Sequence, residues 1–219
     1  MKFSNNNNEL QDFDYLLFSL TDTVSMQMKD YAVSDMTLGL LFYETMSEFA
    51  DDLSIEIKNI IDNANHSDSL FYGYTFEEAI NNTLFVLFHA GIGQDFAVPF
   101  LDPTPHDLPS AYIEASMLSE IPSINGFSVD HGLLLPETEN HIYYNGIDDM
   151  FWGETEFCDY QIGLTGIFSF LVGYAIGLPP LYNTETGETG IGVFGLMDHG
   201  SNNGRGVIPS PPDAWSRIL

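Results

Sequence analysis

From Ile162 to Pro179 the chain runs for eighteen residues without a charged side chain, and no other feature constrains its folding as tightly. A stretch of that length either crosses a bilayer as a helix or is wrapped in protein. Four glycines (Gly163, Gly166, Gly173, Gly177) dilute the apolar run, and Asp159 and Glu185 lie beyond its ends. No Lys or Arg stands beside it to orient a membrane span. These features favour a helix buried in a globular core, with a membrane-spanning helix at 162–179 as the alternative. Gly173 and Gly177, one turn apart, are expected to share a helix face and let another segment approach closely.

The rest of the composition suits one soluble domain over residues 1–219, since 44% hydrophobic content can form a sizeable core. The charge balance is extreme: 32 acidic against 5 basic residues give a formal net charge of −27. A nucleic-acid ligand needs Lys and Arg to displace counterions from its phosphates, so DNA and RNA are excluded as partners. Anionic membrane surfaces are disfavoured on the same ground. The acidic residues read first as a solvated coat. Cys158 is the single cysteine, which rules out an intrachain disulfide and a cysteine metal cluster, and it reads as a small buried side chain.

Local patterns place several elements. Met46, Phe49, Leu53, Ile57, Ile60 and Ile61 recur at helical spacing and predict one amphipathic helix over 43–64, packed on a sheet. Thr75 and Glu78 have the spacing of a capping box and predict a short helix over 76–81. Thr83 to His89 is nearly continuous in apolar side chains and predicts a strand buried on both faces. Residues 99–109, with four prolines, read as a loop that offers Asp102, His106 and Asp107 to a rim. Strands are expected at 112–118, 126–135 and 141–144 as a meander, separated by turns at Asn125-Gly126, Pro136 and Asn145-Gly146. The first forty residues give runs too short to assign.

The uncharged run continues as Phe170-Leu171-Val172-Gly173-Tyr174-Ala175-Ile176-Gly177-Leu178-Pro179-Pro180-Leu181-Tyr182-Asn183. It resembles the site helix of the immune-inhibitor-A-like secreted zinc metallopeptidases, which reads roughly H-E-F-G-H-x-L-G-L-P-D-L-Y-D. In such zincin helices two His at i and i+4 hold zinc and the Glu between them activates water. Gly173, Gly177, Leu178, Pro179, Leu181 and Tyr182 match. Phe170 and Tyr174 stand at the His positions, Leu171 at the Glu position, and Pro180 at the third-ligand position. Gly192 to Ser201, G-V-F-G-L-M-D-H-G-S, is similar to the family's following segment, in which a Met-turn, here Met197, lies beneath the metal. The strand ending in His89-Ala90-Gly91-Ile92-Gly93-Gln94 and the closing Ala214-Trp215-Ser216-Arg217 resemble further family segments. The likeness runs in order from about residue 84 to the end, and the first eighty or so residues match little.

The resemblance implies an α+β, zincin-like fold, a twisted sheet backed by helices, with a buried former site helix at about 165–177 followed by the Met-turn. It implies no zinc and no catalytic residue, and hence a pseudopeptidase that binds a peptide, protein or glycan outside the cell or at its surface. A family of secreted proteins, a start without an apolar leader at Met1-Lys2-Phe3-Ser4, and an end straight after Trp215-Ser216-Arg217 suggest a fragment. The competing reading is a hydrolase whose chemistry has moved, with Asp198 and His199 as its first candidates or with a different metal. No G-x-S-x-G elbow supports a serine hydrolase, His spacings do not form a zinc set, and Asp148-Asp149 reads as a solvated turn. Calcium is the cofactor the composition allows: Asn183, Glu185, Thr186 and Glu188, with Asp198, Asn202 and Asn203, supply the oxygens such an ion takes.

Overall fold

The computed structural model describes residues 35–64, 66, 69, 71–95, 107–144 and 157–218. Expectations for Asp102, His106, Asn145-Gly146 and Asp148-Asp149 lie outside these residues. The protein is α+β: a mixed three-stranded sheet carries helices on both faces.

On one face lie α1 (Asp35–Glu48), α2 (Ala50–Asn63) and α3 (Phe76–Asn81). The expected single helix over 43–64 is two. It begins earlier and breaks at Phe49, whose backbone (φ −96°, ψ 9°) leaves the helical range while its amide still bonds Thr45 at 3.1 Å. The bend lets both segments reach the core, α1 through Leu38, Phe42 and Met46 and α2 through Ile57. The capping box is present: the Thr75 hydroxyl accepts from the Glu78 amide at 3.2 Å, and the Glu78 carboxylate accepts from the Thr75 amide at 2.8 Å. These two bonds satisfy amides that the start of a helix otherwise leaves open.

The sheet has the order β1 (Val86–Ile92), β5 (Gly132–Thr138), β2 (Ala111–Ile113), with β1 parallel and β2 antiparallel to the central β5. This is a crossover and not the expected meander. Alternation along β5 sends Leu134 to the α1–α3 face, while Leu133 and Leu135 face the other side with Ile167 and Leu171. β1 is an edge strand with Phe88 55% exposed, so it is not buried on both faces as its apolar run suggests. Pro136 is not a turn but a buried residue inside β5, opposite His89. It has no N–H to give to the ladder, and the register slips beside it as β1 gains one residue at a bulge containing Gly91 (φ 109°).

The predicted strand over 112–118 is β2 followed by a 3-10 turn at Ala115–Met117, and the one over 126–135 is split. Its first part is β4 (Phe127–Ser128), paired with β3 (Ser123–Ile124) through Asn125-Gly126. Both turn residues have positive φ, 52° and 86°, as a two-residue hairpin of this hand requires. A second hairpin pairs β6 (His141–Tyr144) with β7 (Phe157–Tyr160), placing Cys158 opposite Tyr143.

The uncharged run forms α4 (Leu164–Ala175), shorter than the expected 165–177 at its C-terminal end. Among the described residues no helix is long and apolar enough to cross a membrane. No side chain caps the start of α4; instead the amides of Gly163 and Gly166 donate to the carbonyls of Arg205 and Gly206, both at 2.8 Å. Gly177 does not share a packing face with Gly173. It lies past the helix end at φ 86°, where Leu178 N–H reaches Gly173 O and Gly177 N–H reaches Tyr174 O, both at 2.9 Å, the paired bonds of a Schellman stop. The close-packing glycines are Gly166 and Gly173, two turns apart: a Cβ on the first would collide with Ser201 O, and on the second with Met197 Sδ.

Candidate functional site

The four positions aligned with zinc-handling residues are all on or just after α4. Leu171 is buried on β5 against Leu133 and Leu135, so a charge there would be desolvated. Phe170 and Tyr174 lie one turn apart and meet edge to face, with ring centroids 5.0 Å apart. Tyr174 also stacks on Tyr112 of β2 at 6.1 Å, and its hydroxyl bonds that of Tyr182 at 2.9 Å. Burial, together with the bond to Tyr182, pushes the Tyr174 hydroxyl well above its ordinary pKa. Pro180 is half-buried and offers no ligand atom from its side chain.

Beneath this helix runs the 181–203 segment. Met197 is fully buried against Gly173, and the Leu181 amide bonds the Met197 carbonyl at 2.9 Å. Next to it Asp198, 2% exposed, holds the loop together. Its Oδ2 accepts from Thr189 Oγ1 at 2.9 Å and from the amides of Gly190, Ile191 and Gly192 at 2.9, 2.7 and 2.8 Å. Its Oδ1 accepts from the His199 amide at 2.8 Å. Burial alone would raise its pKa, but the donors of Gly192, Thr189, His199 and Ile191 outweigh it and hold the carboxyl down at about 2.

The oxygens proposed for calcium are therefore partly spoken for. Asp198 is committed to the backbone, and Asn183 Oδ1 accepts from the amides of Glu185 and Thr186 at 2.9 and 3.1 Å. Glu185 and Glu188 point into solvent from the 182–189 hairpin. Among the described residues no group of three or more His, Cys, Asp or Glu side chains gathers as a metal set.

A cleft of about 330 Å³ opens between α4 and these loops. Ile167, Phe170, Leu171 and Tyr182 give it an apolar wall, and the exposed His199 stands at its edge. Asp95 and Ser110 also line it, and sequence reasoning missed both. The Ser110 amide donates to both oxygens of Asp95 at 3.0 Å, which fixes the carboxylate's orientation.

Behind Asp95 lies Glu139, only 1% exposed. β1 and β5 run parallel, so the residues just past their C-terminal ends, Gly93 to Asp95 and Glu139, meet at one end of the sheet. Gly93 makes the approach feasible, since a Cβ there would collide with the Glu139 carboxyl. The two carboxyls face each other, and among the described residues Asp95 is the group that answers Glu139, whose oxygens have no other partner. Burial first, and then the adjacent Asp95, pushes Glu139 up to about 9, so it keeps its proton at neutral pH. The sequence hint was slight: a Glu in Pro136-Glu137-Thr138-Glu139 reads as a polar turn, and only the parallel pairing brings it to Asp95.

No family model, no curated protein and no solved structure matches the chain.

Proposed function

We propose that the protein is a catalytically inactive relative of the immune-inhibitor-A-like peptidases that uses the cleft beside α4 to hold a peptide segment, in an extracellular or cell-surface setting. The observation that carries this reading is the identity and packing of Phe170, Leu171 and Tyr174. Where the resemblance expects two imidazoles and a carboxylate, the chain has one aliphatic core residue and two rings in mutual contact. Such side chains neither ligate a cation nor move a proton, and burying each contributes about 1.5 to 3 kcal/mol. The Asp198 loop supports the same reading, because it keeps a rigid wall on the cleft without supplying a free base.

The test is an assay of the purified protein on an unfolded substrate such as casein, with and without added zinc, alongside a binding measurement with casein peptides prepared beforehand by trypsin. The expected outcome is no cleavage and saturable binding that weakens when His199→Trp crowds the mouth of the cleft. Zinc-dependent cleavage abolished by a chelator would overturn it.

The relocated-site alternative draws on one observation, the protonated Glu139 beside the Asp95 carboxylate, an arrangement that can serve as acid and base. Zinc-independent cleavage lost in Glu139→Gln would transfer the assignment to that pair.

A further inference from the structure

The chain has 32 acidic residues among 219, yet from Thr189 to Pro212 its charged residues are Asp198 and Arg205. Asp198 is buried and saturated by donors, so the surface of this stretch carries no carboxylate. What it presents instead is apolar. Phe194 is 82% exposed and Ile208 73%, and Ile191, Val193 and Val207 are exposed with them. The two loops that bear these side chains are stitched together. The Val193 carbonyl accepts from Asn203 Nδ2 at 2.9 Å and from Ser210 Oγ at 2.6 Å, and Val207 and Ile208 lie in the chain between those donors. The backbone of the second loop has a use in the fold, because the Arg205 and Gly206 carbonyls accept from amides at the start of α4. The Val207, Ile208 and Phe194 side chains have no such use: they stand out from the core and do not line the cleft.

We propose that this patch pairs with the same patch on a second copy of the chain, forming a two-fold dimer. Charge decides the occupant. Two chains of formal charge −27 repel where their acidic coats meet, and loops without a surface carboxylate let them approach at lower cost. A basic partner would gain little here, since these loops offer it no anion. A two-fold axis instead sets Phe194 and Ile208 of one copy against the same apolar loops of the other, as an isologous interface requires. The size agrees with a weak dimer. At these exposures the five side chains present on the order of 500 Å², enough for the apolar centre of an interface of about 800 Å² per partner, with Asn202 and Asn203 for its polar rim. The inference is independent of the peptide-binding reading, whose cleft is built from other residues.

Sedimentation equilibrium of the full chain, from about 1 to about 500 μM and at about 0.1 and 0.5 M salt, tests it. The wild type is expected to dimerise, several-fold more tightly at the higher salt, because salt screens the charge repulsion and spares apolar contact. Phe194→Gln/Ile208→Gln should weaken the dimer at least about tenfold. Ile55→Gln, which removes an exposed apolar side chain from α2 among Asp51, Asp52 and Glu56, should leave it unchanged. Hydrogen exchange locates the contact in the wild type without any substitution, so the question is decided even if the double variant fails to fold: amides at 191–194 and 206–208 should slow as the protein is concentrated. A wild type that stays monomeric, a dimer that the double variant leaves intact, or exchange at those loops that ignores concentration overturns the inference. Two further outcomes reassign the patch and overturn it equally. Monomeric protein that floats with uncharged phosphatidylcholine vesicles, and no longer does so in the double variant, would give the patch to a lipid surface. A monomer whose melting temperature falls by several degrees in the double variant would show that the chain covers the patch itself.

Discussion

Two buried carboxyl groups lie near the same cleft, Asp198 on its lining and Glu139 behind Asp95, and they are held in opposite ways. Asp198 sits among five donors and is driven down to about 2; Glu139 has no donor, faces another carboxyl and is driven up to about 9. The first is an architectural anion, which fastens the 189–192 loop below α4. The second is a costly arrangement that stabilises nothing visible in the fold. Burial alone therefore does not tell structure from function; the donors around the buried group do.

The comparison breaks most sharply at Asp198. Asp198→Ala should strand several amides and cost about 3 to 5 kcal/mol in urea unfolding, with Asp198→Asn intermediate because one acceptor oxygen remains. In the wild-type protein the group's folded pKa lies below its ordinary value of 3.8, so its contribution is complete above that value and is lost as pH falls toward about 2. A loss under 1 kcal/mol in Asp198→Ala would show that the loop is held by other means.

Glu139 should behave with the opposite sign. Between its ordinary 4.5 and about 9 the folded chain keeps a proton that the unfolded chain has released. Stability then declines as pH rises through this window, by at most about 1.4 kcal/mol per pH unit from this group. Glu139→Gln, which imitates the protonated acid, should flatten that slope and stabilise the protein by up to about 2 kcal/mol between pH 6 and 8. An unchanged slope would place an unseen partner on Glu139.

The helix itself gives two smaller effects. Gly173→Ala pushes a methyl into the buried Met197 sulfur and should cost about 1 to 3 kcal/mol, with Met197→Ala in the same chain recovering part of it. Equal costs of Gly173→Ala with and without Met197 would remove that contact from the account. Tyr182→Phe takes away the hydroxyl that meets Tyr174 and should cost about 1 kcal/mol, read as a small fall in melting temperature.

What was legible in the sequence was mainly local chemistry. The Thr75 and Glu78 capping box, the Asn125-Gly126 turn and the Ile57 face of α2 are written within a few residues of one another. What was not legible depends on distant partners. Pro136 looks like a turn residue until β1 is seen to bulge opposite it, and Gly177 looks like half of a packing motif until its positive φ shows it ending the helix. The Phe49 break arises because α1 and α2 face different parts of one core. Asp95 and Glu139 are 44 positions apart, and no periodicity links them; the parallel pairing of β1 and β5 does. The α4 segment was legible as a helix but not as the one-sided packing it has, with Thr165 and Phe168 exposed and Gly166, Ile167, Leu171 and Gly173 buried, and its aromatic partners Tyr112 and Tyr182 were not legible at all.

The central claim is that α4 is the frame of a zinc helix whose ligand positions have become packing positions. Zinc titration by calorimetry, comparing wild-type protein with Phe170→His/Leu171→Glu/Tyr174→His/Pro180→Asp, tests it most directly. The account predicts no stoichiometric zinc on the wild type and one ion per chain on the folded variant. One zinc per chain on the wild type, or none on a variant that melts cooperatively, would contradict it.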